Sequence, residues 1–356
     1  MASSSYQCYE EIVSQADSWR EAANEVDGKA SDILQFFKRH QPTDILIVGC
    51  GSPFYLGESL QLSWQAALGV RCRVAPASEL VLYPDAYLPP DLSSSPVLVV
   101  ISRSGTTTET IWAVEAFQQQ YSGRTLLISC APDSPLDDRA DISILIPGAH
   151  EKTVPQTRSF AAMALAAHML GSLVAGDDAR LDLLRSAVPH ATRIIETFEP
   201  VAQEIGSQPV DHAFYMGSGP LYGIAREGAL KMTEMSITTC SAYPFMEARH
   251  GPRSVIEEHT LLAGLFGQGA REHEARVMAD FVGTSQPVSV ALVPDADWET
   301  GDARYTIPVG VCWPDAIQGL AYLPVMHLMA YYRAVAKGVN PDTSRNLSIY
   351  VDLTGA

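Results

Sequence analysis

Hydroxyl side chains surround one glycine between residues 102 and 110. Ser102, Ser104 and Thr107 can donate hydrogen bonds, and Gly105 allows the backbone to turn tightly. An apolar strand precedes the segment and an amphipathic helix follows it, so the unpaired N–H groups and the positive dipole end of that helix face the loop. This combination predicts a phosphate-binding loop that needs no lysine. A capped turn without a ligand has the same composition, and the segment alone does not decide between the two.

The start of the following helix carries a second local signal. Thr106 and Glu109 have the spacing of a capping box, which predicts that Thr106 caps the helix and that local chemistry fixes where it begins.

Acid–base chemistry is suggested by residues further along the chain. Glu227, Lys231 and Glu234 are spaced i, i+4 and i+7, so they lie along one face of a predicted helix. A solvated stripe with a weak Glu227–Lys231 pair gives the same pattern. His250 stands in a loop next to Gly251 and Pro252, where it is available for proton transfer near neutral pH. A carboxylate base and a histidine near a phosphate site suit proton transfer next to a sugar carbonyl.

Composition excludes several classes of function. The 356 residues include 24 basic and 41 acidic side chains, and the net charge of −17 leaves no basic surface for nucleic acid. The six cysteines are scattered without a CxxC pair, and the start of the chain lacks a signal-peptide pattern, which predicts a cytoplasmic protein. The longest apolar segment, 160–175, contains His168 and is predicted to be a buried core helix, so no membrane association is expected.

No cofactor or metal is expected. The nine histidines show no ligand spacing with carboxylates, and His273 has the surroundings of a solvated helix surface. Strand-to-helix turns at Gly49–Ser52 and Gly217–Pro220 lack the third glycine of a dinucleotide site, because Phe54 and Tyr222 occupy that place.

Short apolar runs alternate with helical stretches in two series, which predicts an α/β fold with a five-stranded parallel sheet in each half. The predicted strands are 44–48, 72–75, 97–101, 125–129 and 142–146, then 213–216, 237–240, 261–266, 288–293 and 305–308. Because both series begin with a strand and a glycine turn, we interpret the chain as a tandem duplication. We expect a helical leader (1–42), a first domain (43–176), a helical linker (177–206) and a second domain with a C-terminal tail (207–356).

Five segments together carry a resemblance to a known family. They are Gly49–Ser52, Ser102–Thr107, Glu151–Phe160, Ala225–Lys231 and Arg249–Pro252. In this order they resemble the double SIS (sugar isomerase) domain proteins. The chain is similar to the isomerase half of glutamine:fructose-6-phosphate amidotransferase, and more so to the AgaS-type amino-sugar-phosphate deaminases and tagatose-6-phosphate ketose/aldose isomerases. The resemblance implies two tandem SIS domains, each a three-layer, flavodoxin-like arrangement of a parallel sheet between helices.

The same resemblance implies roles for particular residues. Those expected to bind the sugar phosphate are Ser52, Ser102, Arg103, Ser104, Thr107, Val154 and Gln156. Glu234 is implied to move a proton between C1 and C2, Lys231 to organise that face, and His250 to open the sugar ring. In the family the histidine loop comes from a neighbouring subunit, which implies a homodimer.

Two positions depart from the amidotransferase pattern. Arg103 replaces a glutamine and adds a charge. Ser348 follows Arg345–Leu347 where the amidotransferase carries a lysine shortly after Arg-Asn-Leu, and that lysine handles the open-chain sugar. The chain also lacks the glutaminase domain, which favours isomerisation or deamination over synthesis of an amino sugar.

We therefore expect an aldose–ketose isomerase or deaminase acting on a hexose or hexosamine 6-phosphate through an enediol(amine). Two alternatives stay open: a sugar-phosphate-binding regulator without catalysis, and a fructosamine-phosphate deglycase.

Overall fold

The computed structural model describes residues 6–88 and 95–353. Thirteen α-helices and ten β-strands alternate along these ranges. The strands are β1 Asp44–Gly49, β2 Arg71–Pro76, β3 Pro96–Ser102, β4 Thr125–Ser129, β5 Ile142–Leu145, β6 His212–Gly217, β7 Thr239–Tyr243, β8 Thr260–Leu265, β9 Val288–Val293 and β10 Tyr305–Pro308. The helices are α1 Gln7–Val13, α2 Gln15–Gly28, α3 Ala30–His40, α4 Ser52–Leu68, α5 Ala77–Leu82, α6 Pro84–Tyr87, α7 Thr108–Gln120, α8 Arg158–Ala175, α9 Asp178–Arg185, α10 Val188–Gly206, α11 Pro220–Ser236, α12 Arg271–Ser285 and α13 Asp315–Ala336.

Two parallel five-stranded sheets organise the chain, as the sequence predicts. The first has the strand order β2-β1-β3-β4-β5 and the second the order β7-β6-β8-β9-β10. The two orders are identical when β1 is matched with β6 and so on along the chain, which confirms the tandem arrangement. β3 and β8 are therefore equivalent strands.

The described residues form two units. The first unit contains the first sheet and comprises residues 14–88, 95–152, 156–188 and 348–353; the second unit comprises residues 6–13, 153–155 and 189–347. This division differs from the predicted leader and linker. Helix α1 belongs to the second unit, because Tyr9 packs on Tyr331 and the N–H groups of Gln7 and Cys8 donate to the Asp342 carboxylate. Helices α9 and α10 likewise fall in different units.

The first sheet is covered by helices on both faces. Leu46 and Val48 of β1 point to one face, where they pack in a buried cluster with Phe117 of α7. Ile47 points to the other face, where α4 approaches so closely that a side chain at Gly57 would meet it at 3.1 Å. Strands buried on both faces read as continuous apolar runs, which is why the sequence shows no alternation here.

Helix α8 completes the core of this unit. It contacts α2 and α4, and 78% of it is buried within the structure. Gly171 allows the close approach, since a Cβ at this position would lie 2.6 Å from the Trp64 indole nitrogen. The helix is long and apolar enough to span a membrane by composition, but its burial confirms the predicted core helix.

The second unit is built on the same plan. Phe214 and Met216 of β6 pack with Met278 and Phe281 of α12 in one cluster, while Tyr215 faces α11. The strand predicted at 237–240 is wrong at its start, because Ile237 has a left-handed backbone (φ 51°) and ends α11, so β7 begins at Thr239.

Acidic side chains fill the carboxyl end of β8. Glu274 accepts a hydrogen bond from the Gly267 N–H at 2.9 Å, and Asp315 accepts from the N–H groups of Gln268 and Gly269 at 2.6 and 2.9 Å. Burial raises the pKa of Glu274 to about 7, and the negative charge of Asp315 adds to the rise. The backbone donors that could hold an external anion here are thus bonded to the protein's own carboxylates.

The raised pKa of Glu274 predicts a pH-dependent stability. The folded state keeps the Glu274 proton up to about pH 7, whereas the unfolded state loses it near the ordinary value of 4.5. Stability therefore falls as pH rises through this window, by at most about 3 kcal/mol. Position 274 cannot titrate in the Glu274→Gln variant. The free energy of unfolding of the variant minus that of the wild type should therefore increase as pH rises from about 4.5 to about 7.5. Urea unfolding at several pH values measures this.

The exposed neighbour on α12 provides the control. Glu272→Gln removes a carboxylate that is 79% exposed and should leave the pH dependence unchanged. If the free energies of unfolding of wild type and Glu274→Gln differ by a constant amount across the same pH range, the raised pKa of Glu274 is contradicted.

Candidate functional site

The hydroxyl loop joins β3 to α7 at the carboxyl end of the first sheet, where open α/β sheets bind ligands. Its serines hold the loop itself: the Gly105 N–H donates to Ser102 Oγ at 3.2 Å, and the Thr106 N–H donates to Ser104 Oγ at 3.3 Å. Gly105 has a positive φ of 65°, and a Cβ there would lie 2.1 Å from Ser134 Oγ, so only glycine fits. The loop is therefore a fixed, hydroxyl-rich turn.

The predicted capping box is wrong. Thr107, not Thr106, is the N-cap residue of α7, and its side chain makes no capping hydrogen bond. The Thr106 hydroxyl and one Glu109 carboxylate oxygen are buried without a described hydrogen-bond partner. The loop's shape, imposed by Ser102 and Ser104, fixes the helix start instead.

A small cavity of about 20 Å³ lies against this loop. It is lined by Cys50, Pro53, Ile101, Ser102, Arg103, Ser104, Thr107, Thr110, Gln156 and Ile349. Five of the seven predicted phosphate-binding residues thus meet at one place. The buried Gln156 side-chain oxygen has no described hydrogen-bond partner, so it can accept one from a ligand hydroxyl.

The other two predicted binding residues lie elsewhere. Ser52 is buried at the start of α4, next to the cavity residue Pro53, but is not itself one of the described lining residues. Val154 belongs to the second unit, where its N–H donates to the Asp342 carbonyl at 3.3 Å. No sequence pattern predicts that residues 153–155 and Gln156 belong to different units.

Arg103 is buried in the wall of the cavity. Its side chain is 2% exposed, and Nη1 lies 3.7 Å from a carboxylate oxygen of the fully buried Glu151. Glu151 in turn accepts hydrogen bonds from Thr157, through both N–H and hydroxyl, and from the Ser159 hydroxyl at the start of α8. Arg103 is thus a paired cation, and Glu151 is a site residue that sequence reasoning did not single out.

The second unit contains a buried ammonium group. Lys231 is fully buried on α11, donates to Glu234 and lies 3.5 Å from a carboxylate oxygen of the fully buried Glu227. The solvated-stripe interpretation of this face is therefore wrong. On the neighbouring helix α13, burial lowers the pKa of His327 to about 3, with the Lys231 charge contributing, so this imidazole is neutral.

Glu234 is the member of this cluster that reaches solvent. Its side chain is 15% exposed and lines an open cavity of about 480 Å³ between the end of α11, the start of β7 and residues 344–347. A carboxylate that contacts a buried ammonium on one side and a cavity on the other can accept a proton from a bound molecule.

His250 does not join this cluster within the unit. Glu234 lies near the end of α11, at the amino end of the parallel sheet, whereas His250 follows the carboxyl end of β7. A five-residue strand separates these two ends by about 13 Å. His250 is exposed after a short 3-10 turn at Glu247–Arg249, where a partner molecule could reach it.

Among residues 6–88 and 95–353, no three His, Cys, Asp or Glu side chains are placed to hold a metal ion. His273 is exposed, as predicted, and all six cysteines are free thiols.

Residues 39–173 match the family model of the SIS domain. Over 330 residues, 90% of this chain, the sequence is 26% identical to the glutamine–fructose-6-phosphate aminotransferase (isomerizing) of Shewanella oneidensis. The alignment covers 52% of that enzyme, so the chain spans about half the length of the curated relatives it matches.

Solved structures share the fold over nearly the whole chain. The tagatose-6-phosphate ketose/aldose isomerase of Escherichia coli superimposes with a TM-score of 0.88 at 22% identity, covering 99% of this chain and 98% of that one. The glucosamine-6-phosphate deaminase of Thermotoga maritima gives a TM-score of 0.75 at 22% identity, with 93% and 99% covered. The two parallel sheets match the two tandem SIS domains of this fold, and residues 39–173 of the chain contain a SIS domain.

Proposed function

We propose that the protein is a cytoplasmic aldose–ketose isomerase or deaminase acting on a hexose or hexosamine 6-phosphate. The observation that carries the proposal is the buried Lys231 ammonium beside Glu234, whose carboxylate lines an open cavity. Burying a cation is costly unless it is paired, and here one carboxylate of the pair also faces a cavity, where it can act as a base. The hydroxyl-lined cavity at Ser102–Thr107 supports phosphate binding, and six free thiols suit a reducing compartment.

The chemistry assigns a separate task to each group. The loop hydroxyls hold the phosphate, and His250 donates a proton to the ring oxygen and takes up the proton of the C1 hydroxyl as the sugar opens. Glu234 takes the C2 proton, and the C2–H electron pair forms the C1–C2 double bond. The C1=O π pair moves to the carbonyl oxygen, which regains the proton it lost on ring opening, to give an enediol or enolamine. Return of the proton to C1 gives the ketose, or an imine at C2 that adds water and releases ammonia. Lys231 keeps the Glu234 carboxylate oriented.

A deglycase remains a second candidate, because the cavity beside Glu234 has room for a substituent on the amine. Deglycation uses the same base and the same phosphate contacts. Comparing the turnover of free fructosamine 6-phosphate with that of its N-substituted forms discriminates a deglycase from an isomerase or deaminase, since a deglycase turns over the substituted forms faster.

The role of Glu234 predicts a specific kinetic defect. Glu234→Gln removes the base but keeps the size of the side chain, so kcat should fall about a thousandfold. The dissociation constant of a sugar phosphate, measured by calorimetry, should stay within about threefold, because the phosphate contacts belong to other residues. Glu258→Gln, a side chain that is 75% exposed, is the matched control and should behave as wild type. Unchanged turnover in Glu234→Gln would remove this residue from the proposed role.

The distance between Glu234 and the end of β7 leads us to propose that His250 serves the site of a partner subunit in a homodimer. Glu234→Gln and His250→Asn chains, each inactive alone, should then recover activity when mixed. Half of randomly mixed dimers contain one chain of each kind, and one of their two sites is intact, so about a quarter of wild-type activity is expected. Activity assays on co-expressed variants measure this; mixtures as inactive as the separate variants would show that His250 acts in its own chain.

A further inference from the structure

The C-terminal tail, residues 348–353, is anchored to the first unit through its backbone. Arg103 Nη2 donates to the Ile349 carbonyl at 2.7 Å. The Thr108 N–H and hydroxyl approach the Val351 carbonyl at 3.3 and 3.4 Å, and the Leu353 N–H donates to the Thr108 hydroxyl at 3.1 Å. The tail thus passes over the start of α7, and Ile349 forms part of the wall of the cavity.

Apolar burial contributes little to this anchoring. The side chains of Ile349, Tyr350, Val351 and Leu353 are 40–53% exposed. Among the contacts described, the polar bonds from Arg103 and Thr108 hold the tail in this position.

Arg103 has a geometry suited to this task. Its planar guanidinium faces the Glu151 carboxylate with Nη1 and the tail carbonyl with Nη2. The Glu151 charge balances that of Arg103, and the Thr157 and Ser159 contacts keep Glu151 in place. A cation neutralised by a buried carboxylate attracts a phosphate less than a free one does.

We propose that Arg103 is a positioning residue that holds the C-terminal tail over the phosphate-binding loop, while the loop hydroxyls bind the phosphate itself. The part of this proposal that concerns the phosphate rests on the proposed function, whereas the contact between Arg103 and the tail does not depend on that function. A tail held in this position shields the bound sugar phosphate from water.

Three measurements on Arg103→Gln test the proposal. Hydrogen exchange of a peptide covering residues 348–353 should become at least about tenfold faster, because the tail loses an anchor. The dissociation constant of inorganic phosphate should change less than about threefold. With a sugar phosphate substrate, kcat should fall while KM stays nearly constant.

Arg103→Lys distinguishes a tail anchor from a phosphate ligand at this position. It also keeps a cation beside the buried Glu151 carboxylate, so the variant is expected to fold. An ammonium lacks the fork that reaches both the carboxylate and the carbonyl, so the tail should exchange as fast as in Arg103→Gln. Thr108→Val, which removes the other side-chain anchor, is the positive control for the exchange measurement. Arg20→Gln, at a side chain that is 58% exposed, is the negative control.

Two results would overturn the proposal. One is unchanged tail exchange in both Arg103 variants. The other is a loss of phosphate affinity of about tenfold or more in Arg103→Gln that Arg103→Lys restores, which would make Arg103 a direct phosphate ligand. If the wild type binds no phosphate, the proposed function fails, and the exchange measurement still decides whether Arg103 holds the tail.

Discussion

Each half of the chain holds a buried cation, Arg103 or Lys231, beside a fully buried carboxylate, and this pairing constrains the residues around both cavities. Removing an ion from water costs several kcal/mol, and breaking one buried pair costs about 3–5 kcal/mol. Lys231 is paired with Glu227 and Glu234 on α11, and Arg103 with Glu151 before α8. These pairs fix the side chains around both cavities, because a misplaced partner leaves a charge unpaired. The proposed base and the proposed tail anchor both depend on this constraint.

The duplicated halves have diverged at the same point of the same topology. After β3 the loop presents hydroxyl groups to a cavity, whereas after β8 the equivalent backbone donors bind Glu274 and Asp315. A carboxylate supplied by the protein occupies the place where a parallel sheet offers its N–H groups to an anion. This difference supports the proposal that the phosphate binds in the first half and that α11 of the second half carries the acid–base chemistry.

The sheets were predictable because buried parallel strands are short continuous apolar runs. Ile237 was misassigned because it is apolar but ends a helix in the left-handed conformation. Capping could not be judged from Thr106 and Glu109, since hydrogen bonds within the loop decide which residue caps α7. Spacing placed Lys231 and Glu234 on one face but could not show whether that face is buried, which depends on the packing of α13. The Arg103 contacts to Glu151 and Ile349 join residues 48 and 246 positions apart, and no local pattern reveals such contacts.

The proposed activity moves a proton between C1 and C2 of a phosphorylated sugar. Incubating the pure protein in D₂O with glucosamine, galactosamine and fructose 6-phosphates, and following deuterium at C1 and C2 by NMR together with free ammonia, tests it directly. We expect deuterium incorporation with at least one of these substrates, accompanied by ammonia release if that substrate is an amino sugar. If the protein binds all three sugar phosphates but neither incorporates deuterium nor releases ammonia, the proposed proton transfer is contradicted, and the protein only senses sugar phosphates.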